Sequence, residues 1–232
     1  LVMCCLFAGT GMIMPYLGRW LEVERGLIGA VIGAVLSLSQ MARLLIGPGV
    51  AIWADGAHDR RAPIRILAAA AVVAYLVFFT LAHSFAALMI TGFIALSLTQ
   101  ALTPFVEAAA LRATAQGRIS YGVARGIGSV AFIVANVGGG ILIARFGLGA
   151  VAAWVLTVFA LLNLSAWRLK PDLAPEHVRG LPWRTRLTTG ARLLRDRGFL
   201  GVIIACGLIQ AGHAFYYGFS TLVWRAQGVA PE

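Results

Sequence analysis

An all-α integral membrane fold is what the 232-residue sequence predicts, on three observations. Hydrophobic residues make up 60% of the chain and charged residues 12%, against about a half and a quarter in soluble domains. The apolar residues gather into seven stretches long enough to cross a bilayer, which takes roughly 20 residues at helical rise. The basic residues gather in the connections on one side, the pattern that orients membrane proteins.

The predicted spans cover residues 1–20, 27–47, 64–82, 85–111, 120–146, 149–167 and 199–223. The first starts inside an apolar run with no charged segment before it. A cleaved signal peptide is therefore not expected, and a short cytoplasmic start is read as missing. Connections among the first six spans are short, as antiparallel neighbours require. Residues 168–198 form the one linker: polar, with Pro171, Pro175 and Pro182, and ending in a basic segment over 183–197 that suits an amphipathic helix on the membrane surface. The organisation expected is a six-helix amino-terminal half over 1–167, a cytoplasmic central loop over 168–198, and a seventh helix over 199–232 that opens a second half.

Charge placement sets the topology. Arg60, Arg61, Arg65, Arg112, Arg118, Arg125, Arg168, Lys170, Arg179, Arg184, Arg186, Arg192, Arg195 and Arg197 fall on one side, and Arg19, Arg25, Arg145 and Arg225 on the other. The first side is read as cytoplasmic, which puts the amino terminus inside and Glu232 outside. The net charge of +10 is thus topological, and nucleic acid is not an expected partner. Cys4, Cys5 and Cys206 lie within apolar spans without metal-ligand spacing, so they are read as small buried residues. No cofactor or metal is implied.

Ionisable groups inside spans are costly and usually face a cavity or a partner. Arg43, Glu107 and Arg125 are the three. Glu107 lies nine residues before Gln116 and Arg125 nine after it. An antiparallel hairpin centred there brings the two to similar depth, about 7 Å inside the helix ends. Gln100, Thr103 and Glu107 share one helical face, as do Arg125, Ser129, Phe132 and Asn136. Two facing polar stripes describe the wall of a wet cavity; a structural ion pair or a snorkelling arginine is the plainer alternative. Arg43, with Gln40 on its face, carries the same two readings. On the seventh span Gln210, His213 and Tyr217 share a face, and His213 is either a proton relay or a packing residue. Gly29 with Gly33, Gly122 with Gly126, and the run at 138–140 predict close helix packing.

A hint of repetition joins the ends of the chain. Pro15-Tyr-Leu-Gly-Arg-Trp-Leu-Glu-Val-Glu-Arg-Gly26 and Tyr217-Gly-Phe-Ser-Thr-Leu-Val-Trp-Arg-Ala-Gln-Gly228 share an aromatic exit, an arginine and a glycine at equal spacing. That fits a carrier of two related halves, truncated just as the second begins.

These residues resemble the major facilitator superfamily along the whole chain. Asp55-Gly-Ala-His-Asp-Arg60-Arg61 is similar to its signature loop between the second and third helices, although Ala51 and His58 stand where glycines are common. Gly11-Met-Ile-Met-Pro15-Tyr-Leu-Gly-Arg-Trp20, and Pro104-Phe-Val-Glu107 followed by Arg125, resemble the lactose permease branch. Met41-Ala-Arg43-Leu-Leu, Tyr121-Gly-Val-Ala-Arg125-Gly-Ile-Gly-Ser129-Val-Ala-Phe132 and His213-Ala-Phe-Tyr-Tyr217-Gly-Phe-Ser220 resemble the phenylpropionic acid transporter group within it. The resemblance implies a major-facilitator helical bundle and a monomeric, proton-coupled symporter of the inner membrane that works by alternating access.

Residue roles follow from the same resemblance. Arg125 holds a carboxylate or hydroxyl, with Glu107 as its partner. Phe132 stands where the lactose permease pattern has tryptophan, and with Tyr16 it supplies an aromatic wall. Ser129 and Gln100 extend the substrate face, while Arg43, His213 and Tyr217 are further proton or substrate contacts. Asp55, Arg60 and Arg61 form a gating loop. An aromatic carboxylate is the leading substrate, with a sugar or nucleoside as the alternative. Two other classes are weighed: a non-transporting receptor on the same fold, and an intramembrane protease using Ser220 and His213. The chain is not expected to be an enzyme, and its expected partners are a small solute, protons and the lipid bilayer.

Overall fold

The computed structural model describes the backbone of residues 1–173, 182, 185, 188, 190 and 192–226; side chains at 38–46 and 213–226 lie outside the description. Two compact units result, Leu1–Gly180 and Leu181–Glu232. In the first, six long helices follow one another: α1 (Val2–Arg25), α2 (Gly29–Asp55), α3 (Ala62–Thr80), α4 (Phe85–Ala115), α5 (Tyr121–Phe146) and α6 (Gly149–Trp167). The second contains α7 (Arg197–Ala226). Among the described residues, one isolated bridge between Asp59 and Leu173 is the β-structure.

Every predicted span is a helix, and most run past the apolar stretch that predicted them. Helical hydrogen bonds propagate through polar residues as readily as apolar ones, so a helix stops at a backbone signal rather than at the membrane edge. For α1 that signal is Gly26, at φ 66°, whose N–H caps the Leu21 carbonyl; this left-handed conformation suits glycine because it lacks a Cβ. α2 continues beyond the predicted 27–47 through Pro48 to Asp55. Among the described residues, α1, α3, α4, α5 and α6 are long and apolar enough to cross a membrane.

α1 is the central element of the first unit. It packs along α5 and α6, α3 packs on α4 and α6, and α2 lies on α4. Trp20, Tyr75, Phe78, Phe79 and Phe159 build an aromatic core: Trp20 meets Phe79 edge-on at 4.8 Å between centroids, and Tyr75 lies 4.9 Å from Phe159. The buried Tyr75 hydroxyl is satisfied by Thr99 Oγ1 at 2.9 Å, as a polar group in a dry core requires. Arg25 folds back over the Trp20 ring at 4.8 Å and donates to the Phe79 carbonyl at 2.6 Å, capping α3.

Outside this core, Ile66, Val73, Ile90, Ile94, Leu161 and Leu164 are exposed. Apolar side chains turned outward around an equally apolar centre are what lipid, rather than water, as solvent permits.

The packing glycines are only partly those expected: within the run at 138–140, a Cβ on Gly139 or Gly140 would lie 2.8 or 3.0 Å from the Tyr16 side chain of α1. A Cβ on Gly29, Gly33 or Gly126 meets nothing within 4 Å, and one on Gly122 meets only the nearby Ser120 hydroxyl. Close approach occurs instead where α1 crosses its neighbours: a Cβ on Gly9 would lie 2.6 Å from the Phe159 ring, and one on Gly11 2.5 Å from the Phe132 carbonyl oxygen. Spacing marks a small face without saying what lies opposite it.

In the second unit, Asp196 Oδ1 accepts the Gly198 and Phe199 N–H groups at 2.8 and 3.0 Å, capping the start of α7. Residues 183, 184, 186, 187, 189 and 191 of the predicted amphipathic segment, and the side chains of the repeat at 217–228, lie outside the described residues.

Candidate functional site

Helices α4 and α5 are joined by the tight turn through Gly117, at φ 67°. Across this hairpin an Arg125 Nη1 proton is donated to Glu107 Oε1, and the two form an ion pair. Neither is sealed: the Arg125 side chain is 41% exposed and that of Glu107 31%. Arg125 therefore has N–H groups to spare, which find no acceptor among the described residues. A guanidinium with one arm held and the other donors open is a fork suited to a carboxylate.

Phe7 of α1 is a third member that the sequence did not reveal. Its ring lies beneath the Arg125 guanidinium, 4.6 Å from Cζ to centroid, close enough for the ring's negative face to attract the cation. Gly128, one turn on from Arg125, makes room for it, since a Cβ there would sit 3.1 Å from the Phe7 ring. The available signal was that Phe7, Thr10 and Met14 share one face of α1.

Phe7 also borders a cavity of about 360 Å³. Thr10 and Met14 of α1, Leu36 of α2, Gln100 and Thr103 of α4 and Phe132 of α5 contribute to its wall. This is the size and the largely apolar lining, with a few polar groups, of a small-molecule site. The Thr10 hydroxyl donates back to the Leu6 and Phe7 carbonyls at 3.2 and 3.0 Å.

The remaining candidates fall elsewhere. The Tyr16 hydroxyl donates to the Asn136 carbonyl at 2.7 Å, and its ring lies against Gly139 and Gly140. It joins α1 to α5 and is not among the residues lining the cavity. Ser129 is exposed on α5, also apart from that lining. The side chains of Arg43, His213, Tyr217 and Ser220 lie outside the described residues.

At the 2–3 loop the acid that engages an arginine is Asp59. Arg61 Nε and Nη2 donate to its carboxylate at 2.9 and 2.6 Å, and the Arg61 backbone N–H adds a bond at 2.9 Å. These hydrogen bonds hold the Asp59 carboxyl below its ordinary pKa and raise that of Arg61. Asp55, at the end of α2, is exposed. Arg61 also donates to the Leu169 carbonyl at 2.9 Å, and the Arg60 N–H to the Asp172 carbonyl at 2.9 Å. Arg112 Nε reaches Asp172 Oδ2 at 2.7 Å. The loop is thereby clasped to the segment leaving α6.

Comparison with known proteins agrees with this architecture. Residues 2–230 match the MFS_1 like family. The chain is 29% identical over 227 residues to a probable 3-phenylpropionic acid transporter of Escherichia coli (strain K12), covering 96% of this chain and 57% of that protein. It is 28% identical over 206 residues to a maltose permease of Geobacillus stearothermophilus, covering 88% and 50%. The chain spans about half the length of these curated relatives. It is a multi-pass membrane protein that belongs to the MFS_1 like family, within the major facilitator superfamily.

Proposed function

We propose that the chain is the amino-terminal part of a secondary active transporter that carries a small organic anion, an aromatic carboxylate first, in symport with protons. The observation that carries this reading is Arg125, anchored by Glu107 and Phe7 with donors to spare, while Phe7 in turn borders the cavity that Phe132 also lines. A carboxylate takes the open side of the guanidinium, and the ring of the solute lies against Phe7 and Phe132. Glu107 answers the arriving charge: the substrate carboxylate competes with it for Arg125, and Glu107 is the acid placed to carry the accompanying proton. Binding of anion and proton are thereby coupled, and the two halves of the carrier rock about the site to expose it alternately.

Residues 1–167 form the first half in this reading, 168–198 the central loop, and 199–232 the start of the second. The arginine asymmetry supports a cytoplasmic amino terminus in the inner membrane, and the two-half architecture supports a monomeric carrier. A sugar is the second reading. It draws on the maltose permease relative and on Gln100 and Thr103 in the cavity wall, which offer hydrogen bonds to hydroxyls.

Uptake of radiolabelled 3-phenylpropionate and of maltose by cells making the full-length carrier separates the two. Phenylpropionate uptake accompanied by proton entry is expected, with Arg125→Lys lowering it about tenfold or more through loss of the forked geometry. Glu107→Gln is expected to uncouple uptake from proton entry. Unchanged transport in both variants would sink the assignment.

A further inference from the structure

On the side of the first unit where α4 and α6 end and α3 begins, a second cavity of about 430 Å³ opens among three segments distant in sequence. Its cations are Arg60 and Arg61 from the 2–3 loop, Arg112 and Arg118 from the 4–5 connection, and Arg168 and Lys170 from the exit of α6. Asp172 is the one acid in the lining, and it is engaged by Arg112. Asp59 neutralises Arg61. Arg60, Arg118, Arg168 and Lys170 remain, with no carboxylate within salt-bridge distance among the described residues.

The carboxyl-terminal ends of α4 and α6 carry partial negative charge, which accounts for some of the cations housed there. Four cations around one concavity without a carboxylate partner among the described residues go well beyond that need, because like charges gathered in a recess repel. The clasp between the loop and residues 169–173 nevertheless holds them together. Ile64, Ala109 and Leu169 give the recess an apolar floor.

We propose that this recess binds a phosphate group, carried either by an anionic lipid headgroup or by a small soluble phosphate. Arg118 and Arg168 supply forked donors to its oxygens, as guanidinium groups do for phosphate. Arg60 and the exposed Lys170 add further positive charge. The bound anion relieves the repulsion and ties the 2–3 loop, the 4–5 turn and the α6 exit into one plate. The site is separate from the Glu107–Arg125 pair and does not depend on what that pair transports.

Native mass spectrometry of the full chain in detergent tests the proposal with three probes: dihexanoyl phosphatidylglycerol, dihexanoyl phosphatidylcholine and inorganic phosphate. Arg118 and Arg168 make no side-chain hydrogen bond among the described residues, so R118Q/R168Q is expected to keep its helix content. It should weaken phosphatidylglycerol retention about tenfold or more. R118K/R168K, which keeps the charge but not the fork, should retain more than R118Q/R168Q and less than the unaltered chain, and R60Q/K170Q gives an independent reading of the same charge. R192Q/R195Q, an equal change of charge in the second unit, should leave it unaltered.

Retention of phosphatidylglycerol that inorganic phosphate does not displace supports a lipid headgroup; displacement by inorganic phosphate supports a soluble phosphate. Equal loss in R192Q/R195Q, equal retention of phosphatidylcholine, or no phosphate-bearing adduct on the unaltered chain would overturn the site.

Discussion

The Arg125 guanidinium of α5 rests on the Phe7 ring of α1, 4.6 Å from Cζ to centroid, while its Nη1 engages Glu107 of α4. Three helices thus meet at one cation.

Phe7→Leu should keep the fold and weaken solute binding. The cation–π contact contributes about 0.5–1 kcal/mol at a partly exposed site, so KM for uptake should rise about two- to five-fold. Phe7→Tyr should restore it, whereas a role in packing alone would be served as well by leucine. Concentration-dependent uptake by the full-length carrier provides the measurement.

Close packing between α1 and α5 makes a second prediction. Gly11→Ala places a methyl group 2.5 Å from the Phe132 carbonyl oxygen, backbone that has no rotamer to turn away. A loss of about 1–3 kcal/mol is expected, read as lowered thermal stability in detergent. Gly29→Ala and Gly33→Ala face open space and should leave the stability of the first unit unchanged or slightly raised. The reverse order would show that the helix crossing is misplaced.

The clasp at the 2–3 loop carries a pH dependence of defined sign. Asp59 is held below its ordinary pKa chiefly by hydrogen bonds from Arg61. Its contribution is therefore fully present above the unfolded carboxylate value, near pH 4, and is lost as pH falls through the lower folded value. Thermal unfolding between about pH 6 and 2 should show a decline on the acid side of pH 4 that Asp59→Asn removes. Asp55→Asn, at an exposed position, should not remove it.

Arg112→Gln should loosen the segment that leaves α6. It deletes the 2.7 Å bond to Asp172 and leaves the Asp59–Leu173 bridge, the Arg60 N–H bond to Asp172 and the Arg61 side-chain bond to the Leu169 carbonyl as the nearby ties. Limited trypsin digestion in detergent should then cut after Arg168 several-fold faster. Unchanged cleavage would mean that the remaining ties secure the segment without Arg112.

The carboxylate–guanidinium pair was legible because a tight hairpin brings residues equally far from its turn to equal depth. Nothing of that kind marked Phe7, whose meeting with Arg125 spans more than a hundred residues and follows from where α1 lies. Asp59 was overshadowed by Asp55 for a related reason. Motif spacing drew attention to the earlier acid, whereas the turn entering α3 presents the later one to Arg61 directly. Tyr16, which the resemblance put in an aromatic wall, ties α1 to α5 through its bond to the Asn136 carbonyl, with Gly139 and Gly140 beside its ring.

From its sequence alone this protein is determined to be a membrane chain of long apolar helices in a particular order, since in lipid each helix must satisfy its own backbone hydrogen bonds locally. Which faces touch was decided only by the tertiary structure. Lipid is as apolar as leucine, so helix contacts there depend on shape and on a few polar atoms rather than on hydrophobicity. That is why Gly11, Gly128 and Phe7, rather than the most regular small-residue spacings, set where α1 crosses α5 and hence where Arg125 presents its open donors.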